Sequence, residues 1–72
     1  MKKYQRLQDL REDFDRTQLE IAAVLHTTQK QYSRWETGEF PIPFDKAIAL
    51  AKFYDVSLDY IAGLTNNKGK FW

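Results

Sequence analysis

Two helix starts stand eleven residues apart in this chain, and their spacing leaves few ways to fold what lies between. Thr17-Gln18-Leu19-Glu20 and Thr28-Gln29-Lys30-Gln31 each place a hydroxyl residue three positions ahead of Glu or Gln. That is the pattern of a capping box, in which the hydroxyl accepts the N–H three residues on and the distal side chain accepts the cap's own N–H. Between the caps there is room for a helix of about two turns, over 18–25, and a tight turn at His26-Thr27. Ile21, Ala22 and Leu25 form the inward face of that helix, and Ala22 is small enough to admit a close neighbour. In the next helix Tyr32 and Trp35 point inward, while Gln29, Lys30, Ser33 and Arg34 share the opposite face. Gly38 is placed as a C-terminal glycine stop.

Two short capped helices joined by a tight turn are the layout of a helix-turn-helix, whose second helix enters the DNA major groove. The outer side chains are of the types that bond base edges, Gln with adenine and Arg or Lys with guanine. A solvated helix face is the plain alternative for such a polar set. The capped frame is what favours base contact, with Gln29 the leading reader and Lys30 equally suited to a phosphate.

The flanking sequence supplies the rest of a small helical domain. Tyr4, Leu7, Leu10, Arg11 and then Phe14 follow the three-and-four spacing of one buried stripe, predicting a helix over about 3–13. Pro43 suits the first position of a fourth helix, with Phe44, Ala47, Ile48, Ala51 and Tyr54 inward and Leu50 and Phe53 widening the stripe. Ser57 caps a fifth, in which Leu58, Ile61 and Leu64 face the core and Gly63 marks the end. The domain is expected over 1–64. Residues 65–72 form a polar tail closed by Phe71 and Trp72, which suggest that it folds back or meets a second subunit, a disordered end being the plain alternative.

Composition narrows the function class. Seventy-two residues make one small domain, and an aromatic content of 15% helps a chain that buries a modest share of its surface. No cysteine is present, which excludes a disulfide framework and a cysteine-based zinc site. With one histidine, no glycine-rich phosphate loop and no metal-ligand spacing, neither catalysis, a metal, a cofactor nor a small-molecule ligand is indicated. His26 reads as a surface turn residue. The opening MKKYQRLQDLRED lacks the apolar stretch of a signal peptide, and no run is long enough to span a membrane. The expected location is the bacterial cytoplasm or nucleoid. Net charge is only +1, so a basic face has to come from folding.

With five short helices on the page, the chain resembles the Cro/C1-type helix-turn-helix family of lambdoid phage repressors, also known as the XRE family. The likeness covers about residues 4–64 and rests on Arg11, TQLEIA at 17–22, TTQKQYSRWETG at 27–38 and LAKFYDVSLDYIAGL at 50–64. It implies an all-α, five-helix lambda-repressor-like fold. It also implies that Gln18 touches a phosphate and braces the first recognition side chain, that Gln29 and Lys30 meet bases or phosphate, and that Arg34 reaches the next base pairs. Backbone N–H groups near Thr17, Thr37 and Phe44, with the helix start at Thr28, are implied phosphate holders. Family members pair an arginine and a glutamate where Arg11 and Glu36 stand, which implies a partly buried salt bridge. The chain departs from the family at three places. His26 replaces the usual turn glycine, Arg16 a common apolar residue, and Glu39-Phe40 a loop that often aims lysine or arginine at phosphate. Lys2, Lys3, Arg6 and Arg16 are the other cations available for anchoring.

The resulting expectation is a regulator, most simply a repressor, that binds double-stranded DNA as a homodimer on a roughly palindromic operator. Tyr60, Leu64, Phe71 and Trp72 are the candidate dimer contacts. The competing class is a protein-interaction module, such as an antitoxin-like partner binder, that keeps the helix-turn-helix shape and presents it to another protein.

Overall fold

The computed structural model describes residues 4–69, and all regular structure among them is helical. Five helices follow in order: α1 Gln5–Asp13, α2 Gln18–Val24, α3 Gln29–Glu36, α4 Phe44–Tyr54 and α5 Leu58–Ala62. Leu7 and Leu10 of α1, Ile21 and Ala22 of α2, Tyr32 and Trp35 of α3, Leu50 and Ala51 of α4 and Ile61 of α5 meet in one core, closed by Leu25, Tyr54 and Val56. The core is therefore built from every helix, and α2 and α3 are fixed by burial on their inner faces.

The helices are short because each is followed by a residue in the left-handed region. Asp15, His26 and Asp55 have φ of 55°, 56° and 59°, and Gly38 and Gly63 both have 82°. At four of these stops two backbone bonds close the last turn. After α2, for example, His26 N–H donates to Ala23 C=O at 3.1 Å and Thr27 N–H to Ala22 C=O at 2.9 Å. This pairing satisfies carbonyls that a helix end otherwise leaves open. At Gly38 and Gly63 the conformation costs little, whereas at His26 it carries the steric penalty of a Cβ.

Several inward assignments need correction. Phe44 is 72% exposed, because it is the first residue of α4 and projects past the core; Ala47, one turn on, is the first α4 side chain to be covered. Pro43 is the cap residue before α4, with ψ of 145°, and not its first helical position. Leu64 is 79% exposed, since Gly63 turns the chain off the α5 face. Phe14 stays half outside, with its ring edge-on to Tyr54 at 5.0 Å.

The tail folds back at least as far as Lys68, and Arg6 is its anchor. Arg6 Nη1 donates to Tyr60 C=O at 3.0 Å and to Thr65 C=O at 2.8 Å, while Nη2 donates to Asn66 Oδ1 at 2.8 Å. Its guanidinium lies 4.0 Å from the Tyr60 ring centre, with Lys68 Nζ also within 5.5 Å of it. Ser57 N–H closes the loop by donating to Lys68 C=O at 3.1 Å. Arg6 thus serves the fold and is withdrawn from the cations available for anchoring DNA. Phe71 and Trp72 lie outside the described residues, as do Lys2 and Lys3.

Candidate nucleic-acid interface

The interface begins with two capped helix starts. Thr17 closes a full capping box: its N–H donates to Glu20 Oε1 at 2.9 Å, and Glu20 N–H donates to Thr17 Oγ1 at 3.1 Å. The bond from the Thr17 backbone N–H, with the nearby Thr17 side chain next in effect, holds the Glu20 carboxyl below the usual carboxylate range. At α3 only half of the expected box forms. Gln31 N–H donates to Thr28 Oγ1 at 3.1 Å, but a neutral amide has less pull on the cap's N–H than a carboxylate, and that return bond is not made.

The inner face of α3 is locked by charge as well as by apolar packing. Arg11 Nε donates to Glu36 Oε2 at 2.9 Å and Arg11 Nη2 to Glu36 Oε1 at 3.0 Å, a two-bond pair joining α1 to α3. Gln18 Nε2 adds a third donor to Glu36 Oε1 at 3.3 Å. The Glu36 side chain is only 2% exposed. Burial works to raise its pKa, yet the hydrogen bonds and the adjacent guanidinium outweigh it and hold the carboxyl below its ordinary range. The Tyr32 hydroxyl favours the same charge but falls outside hydrogen-bond geometry, so Arg11 and Gln18 carry the effect. Burial, and then the Glu36 charge, push the Tyr32 and Tyr54 hydroxyls up.

The outer face carries the expected readers. Gln29, Lys30, Ser33 and Arg34 line one shallow, open concavity of about 550 Å³, together with Gln18 from α2 and Glu39 from the following loop. Gln29, Lys30 and Ser33 use no side-chain hydrogen bond within the described residues, so their polar groups are free for a ligand. Arg34 has neighbours. Its Nε is 3.9 Å from Glu39 Oε2, and its guanidinium carbon is 5.4 Å from the Phe40 ring centre.

A helix-turn-helix family model matches residues 7–61. The chain belongs to the helix-turn-helix family. Its type is the Cro/C1 (XRE) one that the motifs imply. A relative from Bacillus subtilis (strain 168), named an uncharacterized HTH-type transcriptional regulator, YobD, is 38% identical over 63 residues. The alignment covers 88% of this chain and 56% of YobD, so the chain spans little more than half of that relative. No solved structure matches the chain.

Within this helix-turn-helix frame the implied phosphate holders divide. The N–H of Thr17 is spent on Glu20 and that of Thr37 on Ser33 C=O at 3.0 Å. Thr28 and Phe44 stand at the starts of α3 and α4, where helix N–H groups point outward. Gln18 lies beside Gln29, but the partner of its amide is Glu36 and not the first recognition side chain. Arg16 is 3.6 Å from Glu20 and remains half-exposed. Sequence reasoning noted at Glu39 and Phe40 only the departure from a basic loop and missed that both lie beside Arg34.

Among the described residues no group of His, Asp or Glu is placed to hold a metal ion. No helix there is long and apolar enough to cross a membrane.

Proposed function

We propose that this chain is a sequence-specific DNA-binding transcriptional regulator that inserts α3 into the major groove. The observation that carries the reading is the two-sidedness of α3. Tyr32, Trp35 and Glu36 anchor one face, while Gln29, Lys30, Ser33 and Arg34 share an open concavity on the other. Gln29 offers a paired acceptor and donor to adenine, Arg34 a fork to guanine, and Lys30 a charge to a base or phosphate. Gln18, Thr28 and the backbone at Phe44 are the phosphate contacts that would fix its register on the duplex.

The proposed assembly is a homodimer on a roughly palindromic operator, with its two recognition helices about 34–36 Å apart on one side of the DNA. Exposed Leu64 and Phe44 flank an apolar groove of about 440 Å³ that also includes Tyr4, Ile42 and Leu58, and this is the favoured dimer surface. Tyr60 contributes less than expected, because Arg6 and Lys68 of its own chain hold its ring. Phe71 and Trp72 are assigned to the contact from sequence alone. Repression would follow from occupying the site and excluding polymerase.

The test is selection of binding sites from a random duplex pool, followed by a salt titration on the enriched sequence. An inverted repeat whose affinity falls steeply with salt supports the reading, since each neutralised phosphate contributes about 0.9 to the logarithmic slope. Absence of enrichment at low salt rejects it. The exposed apolar groove and the Glu39 carboxylate favour the second reading, a protein-interaction module, in that case.

A further inference from the structure

The loop after α3 brings a carboxylate into a surface otherwise made of donors. Glu39 stands on the rim of the concavity that holds Gln29, Lys30, Ser33 and Arg34. Its side chain is 61% exposed, and its Oε2 approaches the Arg34 guanidinium at Nε, the edge nearest the stem. Phe40 flanks the same guanidinium with its ring. The loop backbone is tied to the same residue, for Phe40 N–H donates to Arg34 C=O at 3.2 Å and the Thr37 hydroxyl donates to it at 3.3 Å. Three residues of this segment, Thr37, Glu39 and Phe40, therefore converge on Arg34. Among the described residues no hydrogen bond takes the two terminal nitrogens of Arg34, so its fork stays available.

We infer that Glu39 and Phe40 determine the specificity of Arg34, steering its guanidinium toward a base edge and away from the DNA backbone. The inference rests on the DNA-binding reading above. An unrestrained arginine on a recognition helix has two uses. It reads guanine O6 and N7 with its fork, or it neutralises a phosphate, which adds affinity to every sequence alike. A carboxylate beside Nε compensates part of its charge and repels the phosphate chain, while leaving the fork free to bond. The Phe40 ring, 5.4 Å from the guanidinium carbon, adds a cation–π contact and limits the directions the side chain takes. An exposed pair at this distance is weak, so the device biases Arg34 and does not lock it.

A double-mutant cycle over Glu39→Gln and Arg34→Ala tests this. Affinities of the native chain and three variants are measured by fluorescence anisotropy, from 50 to 200 mM salt as in the usual range for such titrations. The probes are the duplex enriched by selection and one of random sequence. Glu39→Gln is expected to tighten binding to the random duplex about two- to fivefold, the equivalent of one exposed ion pair. It also steepens the salt slope by up to about one phosphate's worth and narrows the ratio of selected to random affinity. In the Arg34→Ala background the same substitution is expected to change little, because its target is gone. An undiminished effect in that background overturns the inference in favour of a general charge effect. So does a loss of affinity for the selected duplex that persists in the Arg34→Ala background, which would make Glu39 itself a reader. If the native chain discriminates between the duplexes and Glu39→Gln leaves every value unchanged, the inference alone fails. If the native chain shows no discrimination, the DNA-binding reading fails and the inference falls with it.

Discussion

Helix α3 carries two arginine–glutamate pairs, and they differ in everything except their chemistry. The inner pair, Arg11–Glu36, makes two hydrogen bonds at 2.9 and 3.0 Å, with Glu36 buried and Arg11 largely covered. The outer pair, Arg34–Glu39, approaches only to 3.9 Å at the surface. Burial separates their roles. Breaking a buried pair strands a charge where water does not reach it, whereas an exposed pair is solvated whether or not it forms. The inner pair therefore serves as a fixture that sets the pose of α3, and the outer pair is free to answer to a ligand.

The sharpest way to break this contrast is to truncate each pair in turn. Glu36→Ala or Arg11→Ala is expected to destabilise the domain by about 3–5 kcal/mol in urea unfolding. Arg34→Ala is expected to stay within about 0.5 kcal/mol of the native chain. Comparable losses for the two pairs would abolish the distinction.

Acid sharpens the same comparison. The Glu36 carboxyl is held below its ordinary range in the folded chain, so its contribution to stability is complete above the ordinary carboxylate pKa. The contribution is lost as pH falls through the lower, folded pKa. Thermal unfolding between pH 6 and about pH 2 should show this acid loss in the native chain. Glu36→Gln should lower stability at neutral pH and flatten the acid dependence.

Smaller effects are expected at the helix ends that frame α2 and α3. Thr17→Ala removes a reciprocal cap and should cost about 1 kcal/mol. Thr28→Ala removes a single bond and should cost less. His26→Gly relieves a left-handed residue and should raise stability, by about 1 kcal/mol at most after the added chain entropy of glycine. Urea midpoints at constant m-value read all three.

The frame of the interface was legible because it is written locally. Thr17 and Thr28 mark their helices within three residues, and Tyr32 and Trp35 declare an inner face by spacing alone. The outer set follows by elimination, and all four of its members do line one concavity. What spacing missed depends on distance or on where a helix happens to end. Arg6 bonds partners 54 to 60 residues away, and no periodic signal encodes such a reach. Phe44 and Leu64 fit their stripes in register but lie at or beyond a helix end, where the stripe no longer meets the core. Asp15 and Asp55 stop helices in the left-handed conformation without the glycine that would announce it. The approach of Glu39 and Phe40 to Arg34 depends on how the loop folds back, which spacing does not give.

In this reading α3 builds with one face and reads with the other. The Gln29→Ala, Arg34→Ala double variant tests it, measured both for urea unfolding and for affinity to the selected duplex. Stability is expected within about 0.5 kcal/mol of native, since neither side chain belongs to the core. Specific binding is expected to lose about 2–6 kcal/mol, the worth of two base contacts. Unchanged affinity in a folded double variant would overturn the two-faced reading of α3.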